Sequence, residues 1–337
     1  MVVCLVYCKR EANINKKFLL GLVIGGAFLF FTVRQIDLHS CMVYIGQANP
    51  LWILLAILVY TSSYVVRSIR WSLLVTPIRS GIPLRRFFNL LIIGFFMNNV
   101  LPFRLGELVR AHVGGQKLNI SRTGMLATII VERLFDGISY IALFLITILF
   151  LPFPKWAKTS FSFGSVVFVG MLVFLYFLLK HREFAVRLMA KIRFPASIND
   201  TAQKIFANFI DGLQIFAQGS GLIKVFFISL LVWTIEGLVF YLMGQSFGIQ
   251  LTIFQCFFVM IIIGMGAIIP TAPGFVGTVE FLGVTSLSFI GVNKNLAFGY
   301  IISLHMLQLL TVSVLGIMSL IKEKISISEL FKIEKQS

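Results

Sequence analysis

The feature that most constrains this chain is a series of apolar runs, each close to the length of a bilayer crossing and bounded by charged residues, proline or glycine. Residues 18–33, 161–179 and 222–242 hold at most two charges each. Spanning the hydrocarbon core takes about 20 predominantly apolar residues, roughly 17–25 in practice. Several runs meet that length, and shorter ones end in Lys or Arg, whose long stems reach the interface. Eight to nine runs can be drawn, at 18–33, 51–66, 87–101, 124–151, 161–179, 222–242, 253–269, 275–290 and 296–321. Only 12% of the residues are charged, about half of what a soluble domain carries. The expected fold class is therefore all-α, a polytopic helical membrane protein forming one domain over residues 1–337, with the membrane part at about 16–321. Lys16 and Lys17 precede the first run and no small-residue cleavage site follows, so an uncleaved anchor is expected.

The net charge of +16 would point a soluble chain toward nucleic acid. Here the cations sit between apolar runs and are not interleaved with stacking aromatics, so nucleic acid is excluded as a partner. Their placement reads as orientation instead. Of the 29 Lys and Arg, 24 fall before residue 18, in 67–86, 104–122 and 180–224, or after 321. Arg34, Lys155, Lys158 and Lys294 make up the opposite set, and Arg133 lies inside a run. Placing the larger set in the cytoplasm puts both termini there. It also requires 87–101 to be a re-entrant arm and 253–290 a re-entrant hairpin from the opposite face, leaving about six full spans. Breakers stand where those tips belong: Asn98, Asn99 and Pro102 in the first, Pro270, Pro273 and Gly274 in the second. Irregular backbone at membrane depth is tolerated only under protein or beside a water-filled cavity. Between 180 and 221, apolar residues recur at helical spacing beside polar ones, which predicts an amphipathic helix lying in the interface.

Three polar clusters stand out. In the first, Arg104, Glu107 and Arg110 recur every three residues, so a helix would align two guanidiniums around a carboxylate. Such a fork suits a phosphate; a solvated salt-bridge pair in a loop is the plain alternative. The second is Glu132, Arg133 and Asp136 inside an apolar run, where charge marks a pathway or an internal ion pair. Glu132 and Asp136 repel at i, i+4, and Arg133 leaves the helix about 100° from Glu132. A cation from the 104–110 segment is expected to bridge them. In the third, Pro273, Gly274 and Gly277 interrupt a helix ahead of Glu280. A new helix starting near Pro273 would present free N–H groups to an anion, unless the segment is simply a kinked hairpin. Glu236, in mid-run, must be paired or protonated. His305 and Gln308, three residues apart, could face one cavity.

The run from Asn98 to Arg110, the Glu132-Arg133-x-x-Asp136 group and the Pro270-to-Glu280 segment, in this order, resemble the lysylphosphatidylglycerol synthase transmembrane, or flippase-like, family. The resemblance covers about 16–321. It implies a polytopic inner-membrane protein with re-entrant helices that translocates lipid, and its charged motif residues are Arg104, Glu107, Arg110, Glu132, Arg133, Asp136 and Glu280. Members that synthesise aminoacyl lipids carry a soluble aminoacyltransferase domain after the membrane part. The chain ends at Ser337, shortly past the last run, so no such domain is expected. The family's last span usually has an arginine where this sequence has His305.

The function expected is movement of a polar lipid between leaflets. Arg104 and Arg110 would hold the headgroup phosphate, Glu107 would orient them, and Pro273, Gly274, Gly277 and Glu280 would form a flexible half-helix tip. Glu132, Arg133 and Asp136, with Glu236 and His305, would form an intramembrane charge network. A lipid-modifying transferase resembling a phosphatidylglycerol lysyltransferase and a non-transporting scaffold are the alternatives. Four scattered cysteines and four scattered histidines form no ligand motif, so no metal, cofactor or catalytic thiol is expected. The expected partner is a membrane phospholipid or lipid-linked substrate, with room left for a homo-oligomer or a partner enzyme.

Overall fold

The structure is a computed structural model and describes residues 19, 21–101, 105–181, 221–266 and 272–326. Among them there is no strand. Helices α1 (Gly21–Val33) and α2 (Leu38–Gln47) meet at a bend of 87°. Then come α3 (Pro50–Val75), α4 (Leu84–Val100), α5 (Gly106–Leu118), α6 (Arg122–Thr147) and α7 (Lys155–Lys180). After the undescribed stretch 182–220 follow α8 (Gly221–Ser246), α9 (Ile253–Gly266), a single 3-10 turn (Pro273–Phe275), α10 (Thr278–Phe289) and α11 (Lys294–Glu323). The amphipathic helix expected between 180 and 221 lies outside the described residues, as do the first eighteen positions.

Local sequence sets the boundaries. Asn49 caps α3 through its side chain with Pro50 at the first turn, where the missing N–H costs nothing. Asp37 and Asn293 cap α2 and α11 in the same way. Gly81, Gly248 and Gly291 take positive φ in the connections, a conformation open to residues without Cβ.

Two ends of the bundle are defined by polar contacts. At one, Arg79 donates to the Leu118 carbonyl, and Asn89 and Lys117 reach Glu323. At the other, the Asn49 N–H donates to the Ser246 carbonyl, the Asp37 N–H to Asn295, and Lys294 to Gln35. α3, α6, α8 and α11 run between these ends. Among the described residues, four helices are long and apolar enough to cross a membrane, α3, α7, α8 and α11, or five spans if the bent α1–α2 pair counts as one. α6 is equally long but carries Glu132, Arg133 and Asp136 in its middle. The outer faces carry many exposed large apolar side chains: Phe163 and Val166 on α7 are 72% and 71% exposed. Water would not tolerate that apolar surface, and lipid is its natural solvent. The chain is a polytopic helical membrane protein.

The remaining helices are short and pair into two hairpins. α4 has 17 residues and α5 has 13, about 26 and 20 Å long at the helical rise, against a hydrocarbon core of roughly 30 Å. They pack backbone to backbone: a Cβ on Gly106 would collide with the Gly94 carbonyl and Asn98, and one on Gly94 with Arg110. α9 and α10, with 14 and 12 residues, also pack on each other. The α4–α5 hairpin rises from the Arg79–Glu323 end and the α9–α10 hairpin from the Asn49–Ser246 end. Their tips meet inside, Gly274 lying against the Asn99 carbonyl oxygen. The first hairpin extends further than the sequence indicated. Residues 104–122 were expected to be a connection, yet from Gly106 they form a helix whose Val109, Arg110, Val113 and Gly114 are buried.

Candidate functional site

α3 supplies the core of the site. Tyr60, Ser63, Tyr64, Arg67, Arg70 and Trp71 recur at helical spacing and all are buried. Sequence reading ended this run at residue 66 and assigned Arg67 and Arg70 to a cytoplasmic connection, which the structure corrects. The first breaker after Pro50 is Pro77, so the helix continues through both arginines until Val75. That uninterrupted spacing was the available signal, and the charges masked it.

Arg70, fully buried, is the bridging cation. Its Nη1 donates to Asp136 Oδ1 at 2.5 Å and to Ser229 Oγ at 2.9 Å, while its Nη2 lies 3.1 Å from Glu132 Oε1. The bridge expected from the 104–110 segment is thus built by another helix. Arg110 does reach Glu132, with Nη2 donating to Oε2 at 2.8 Å, but its guanidinium lies over the Trp71 ring at 4.5 Å and does not extend to Asp136. Arg133 pairs with both neighbouring acids, Glu132 at 2.5 Å and Asp136 at 3.2 Å, and approaches Glu107 at 3.6 Å. Its flexible stem overcomes the 100° offset that a rigid side chain would obey. Glu107 therefore faces Arg133, and among the described residues no pairing of Glu107 with Arg110 accompanies it. Trp233 Nε1 completes the shell by donating to Asp136 Oδ1 at 3.0 Å. Three guanidiniums and three carboxylates pair with one another here, while Nε of Arg70, Arg110 and Arg133 is left without a hydrogen-bond partner. A buried charge is tolerable only when paired in this way.

One turn along α3, Arg67 donates to Glu236 Oε1 at 2.9 Å, and Ser63 Oγ donates to the same oxygen at 3.2 Å. Glu236 is accordingly paired. Arg67 also lies among the rings of Trp233, Phe95 and Tyr64, at 5.0, 5.4 and 5.8 Å from their centroids. Such contacts hold a guanidinium in a dry site.

In the third cluster, the helix begins at Thr278 after Gly277 in a left-handed conformation. The Gly277 N–H donates to Glu280 Oε2 at 2.6 Å, so the chain's own carboxylate already occupies the N-terminus expected to receive an external anion. His305 Nδ1 lies 2.7 Å from Glu280 Oε1, and its Nε2 lies 2.8 Å from the Gly274 carbonyl. That carbonyl can only accept, so Nε2 carries a proton, and the Nδ1–Glu280 contact requires a second proton shared by the pair. His305 thereby ties the broken tip to α11.

A cavity of about 230 Å³ opens where these pieces converge. Arg67, Glu236, Asn99, Gly274, His305 and Gln308 contribute to its walls, with aromatic residues between them. His305 and Gln308 share it. Of the residues expected to hold a headgroup, Gly274 lines the cavity among the described positions. Arg110, Glu107, Gly277 and Glu280 stand behind it in the contacts above, Pro273 opens the 3-10 turn, and Arg104 lies outside the described residues. Among the described residues, Arg67, which sequence reasoning passed over, is the arginine that lines the cavity.

Among the described residues, an all-helical bundle whose buried charges lie around a cavity between two broken hairpins defines a polytopic helical membrane protein. The chain belongs to the lysylphosphatidylglycerol synthase TM region family, whose model matches residues 18–316. It is similar to a UPF0104 membrane protein of Methanothermobacter thermautotrophicus, 22% identical over 84% of this chain and 88% of the relative. It is also similar to the UPF0104 membrane protein MJ1078 of Methanocaldococcus jannaschii, 25% identical over 66% of this chain and 91% of that protein. A third relative is PH1989 of Pyrococcus horikoshii, 23% identical over 84% and 90% of the two chains. No solved structure matches the chain significantly.

Proposed function

We propose that this protein is a lipid translocase of the plasma (inner) membrane, moving a polar phospholipid headgroup between leaflets through the cavity. The observation that carries this reading is the meeting of Asn99 and Gly274, the tips of two opposed short hairpins, beside a cavity walled by Arg67 and Glu236. Opposed interrupted segments converging near a membrane midplane are the arrangement of transporters that alternate access around a fixed site. Ligand pockets usually span roughly 300–1,000 Å³, so this cavity suits a headgroup whose acyl chains remain in lipid. In this reading α4–α5 and α9–α10 are re-entrant, and Arg67 takes the headgroup role that the sequence gave to Arg104 and Arg110.

Both termini lie in the cytoplasm in the same reading. Removing Arg67, Arg70 and Arg110, which are buried in protein, from the larger set of cations leaves 21 against four. The asymmetry that orients loops persists.

Reconstitution of the purified protein into liposomes tests the reading. A fluorescent lipid on the inner leaflet becomes accessible to an external quencher only if it is moved. Quenching that stops near half, as in protein-free vesicles, refutes translocation, and consumption of a labelled aminoacyl or sugar donor would establish a transferase instead.

A further inference from the structure

The Arg67–Glu236 pair leaves hydrogen-bonding capacity unused on both partners, since the guanidinium donates to Glu236 through Nη2 alone. Arg67, 4% exposed, is buried, and its Nε has no hydrogen-bond partner. The two bonds received by Glu236 both end on Oε1, which leaves Oε2 for another donor. The cavity thus presents a donor already carrying positive charge and an acceptor already carrying negative charge, a few ångströms apart.

The surroundings are charge-balanced. Arg70, Arg110 and Arg133 face Glu107, Glu132 and Asp136. His305 and Glu280 share a proton and together carry no net charge. Among the described residues, Arg67 is the guanidinium paired with Glu236, and no further Lys or Arg lines the cavity. A net-anionic headgroup entering here would bring an uncompensated charge into a low-dielectric site, which is unfavourable in membrane interiors. A headgroup with one phosphate and one ammonium enters without that cost.

We infer that the cavity is a zwitterion site, specific for a phospholipid headgroup bearing a phosphate diester and a primary amine. The phosphate takes the free face of Arg67 and the ammonium takes Glu236 Oε2, so the ligand slips between two charges that hold each other when the site is empty. A primary amine is specified because the open acceptor is a carboxylate oxygen, which an N–H satisfies and a trimethylated nitrogen does not. The assignment rests on the translocase reading for its direction of use, but the binding preference stands apart from transport.

Two measurements separate them. In the first, full-length protein in detergent is offered equimolar phosphatidylethanolamine, phosphatidylglycerol and phosphatidylcholine, and the bound lipid is counted by native mass spectrometry. The ethanolamine lipid should be retained on the order of tenfold over each of the others. In the second, phosphatidylcholine vesicles carrying a trace of each lipid, labelled on the acyl chain, report movement. Glu236→Gln leaves Arg67 unneutralised, so this variant should prefer phosphatidylglycerol over phosphatidylethanolamine, a reversal that general loss of structure does not produce. The inference is overturned if wild type retains phosphatidylglycerol or phosphatidylcholine as well as phosphatidylethanolamine, or if a folded Glu236→Gln keeps the wild-type order. If that variant fails to fold, the wild-type competition decides alone. Selective binding without movement refutes the translocase and leaves the zwitterion site standing.

Discussion

Replacing Arg70 by methionine keeps the length and most of the volume of the side chain while deleting its charge. The guanidinium is fully buried and touches Asp136 at 2.5 Å, Glu132 at 3.1 Å and Ser229 at 2.9 Å. Its loss leaves two carboxylates one turn apart facing each other, with Arg110 and Arg133 still paired to them. Removing one partner of a buried ion pair costs about 3–5 kcal/mol, because the other charge stays desolvated. The Arg70→Met variant should therefore lose about 3–5 kcal/mol of stability. In an Asp136→Asn background the same change should cost about 2 kcal/mol less, since one of the two repelling charges has gone. Unfolding by SDS in mixed micelles, followed by tryptophan fluorescence, measures both. Trp233 donates to Asp136 and Trp71 lies under Arg110, so two of the four tryptophans report from the cluster once Trp52 and Trp156 are replaced by phenylalanine. A loss below about 1 kcal/mol, or additive effects of the two substitutions, would show that Arg70 is not the bridge.

Gly106→Ala drives a Cβ into the Gly94 carbonyl and should cost about 1–3 kcal/mol of overpacking, whereas Gly26→Ala, with open space around it, should be neutral in the same unfolding assay. His305→Ala strands the Glu280 carboxylate and the Gly274 carbonyl. It should lower stability by about 1–3 kcal/mol and speed proteolysis near 266–277; an unchanged digestion pattern would contradict a tie between tip and α11. Cysteine introduced at Trp156, which is exposed, should react with an impermeant thiol reagent applied from outside intact cells, and cysteine at Ser80 should not; the opposite pattern inverts the proposed orientation.

The helices were legible because burial in lipid demands long apolar runs, and the two broken hairpins because Pro273 and Gly274 interrupt one and Pro102 follows the first helix of the other. What stayed hidden was pairing between distant segments. Arg70 and Asp136 are 66 positions apart, and Arg67 and Glu236 are 169 apart. Nothing local distinguishes an arginine that turns inward from one that marks a loop. α2 was missed for a related reason: residues 38–47 are amphipathic enough to pack against α11 but too short to register as a crossing. Glu280 was identified as polar and internal, yet its role in closing its own helix through the Gly277 N–H depends on a backbone turn that residue types alone do not reveal.

The order in which the chain is made gives the Arg67–Glu236 pair a consequence for biogenesis. Arg67 leaves the ribosome 169 residues ahead of its counter-ion, roughly ten to thirty seconds at 5–20 residues per second. Arg70 waits a shorter time for Asp136, 66 residues later. An unpaired arginine at the centre of a lone helix costs at least about 2.5–3.5 kcal/mol, and α3 carries two. The third helix is therefore poorly suited to enter lipid when it first emerges. The expected outcome is that α3 becomes stably inserted only once α6 and α8 have been made, which a series of truncated chains assayed for α3 insertion would check.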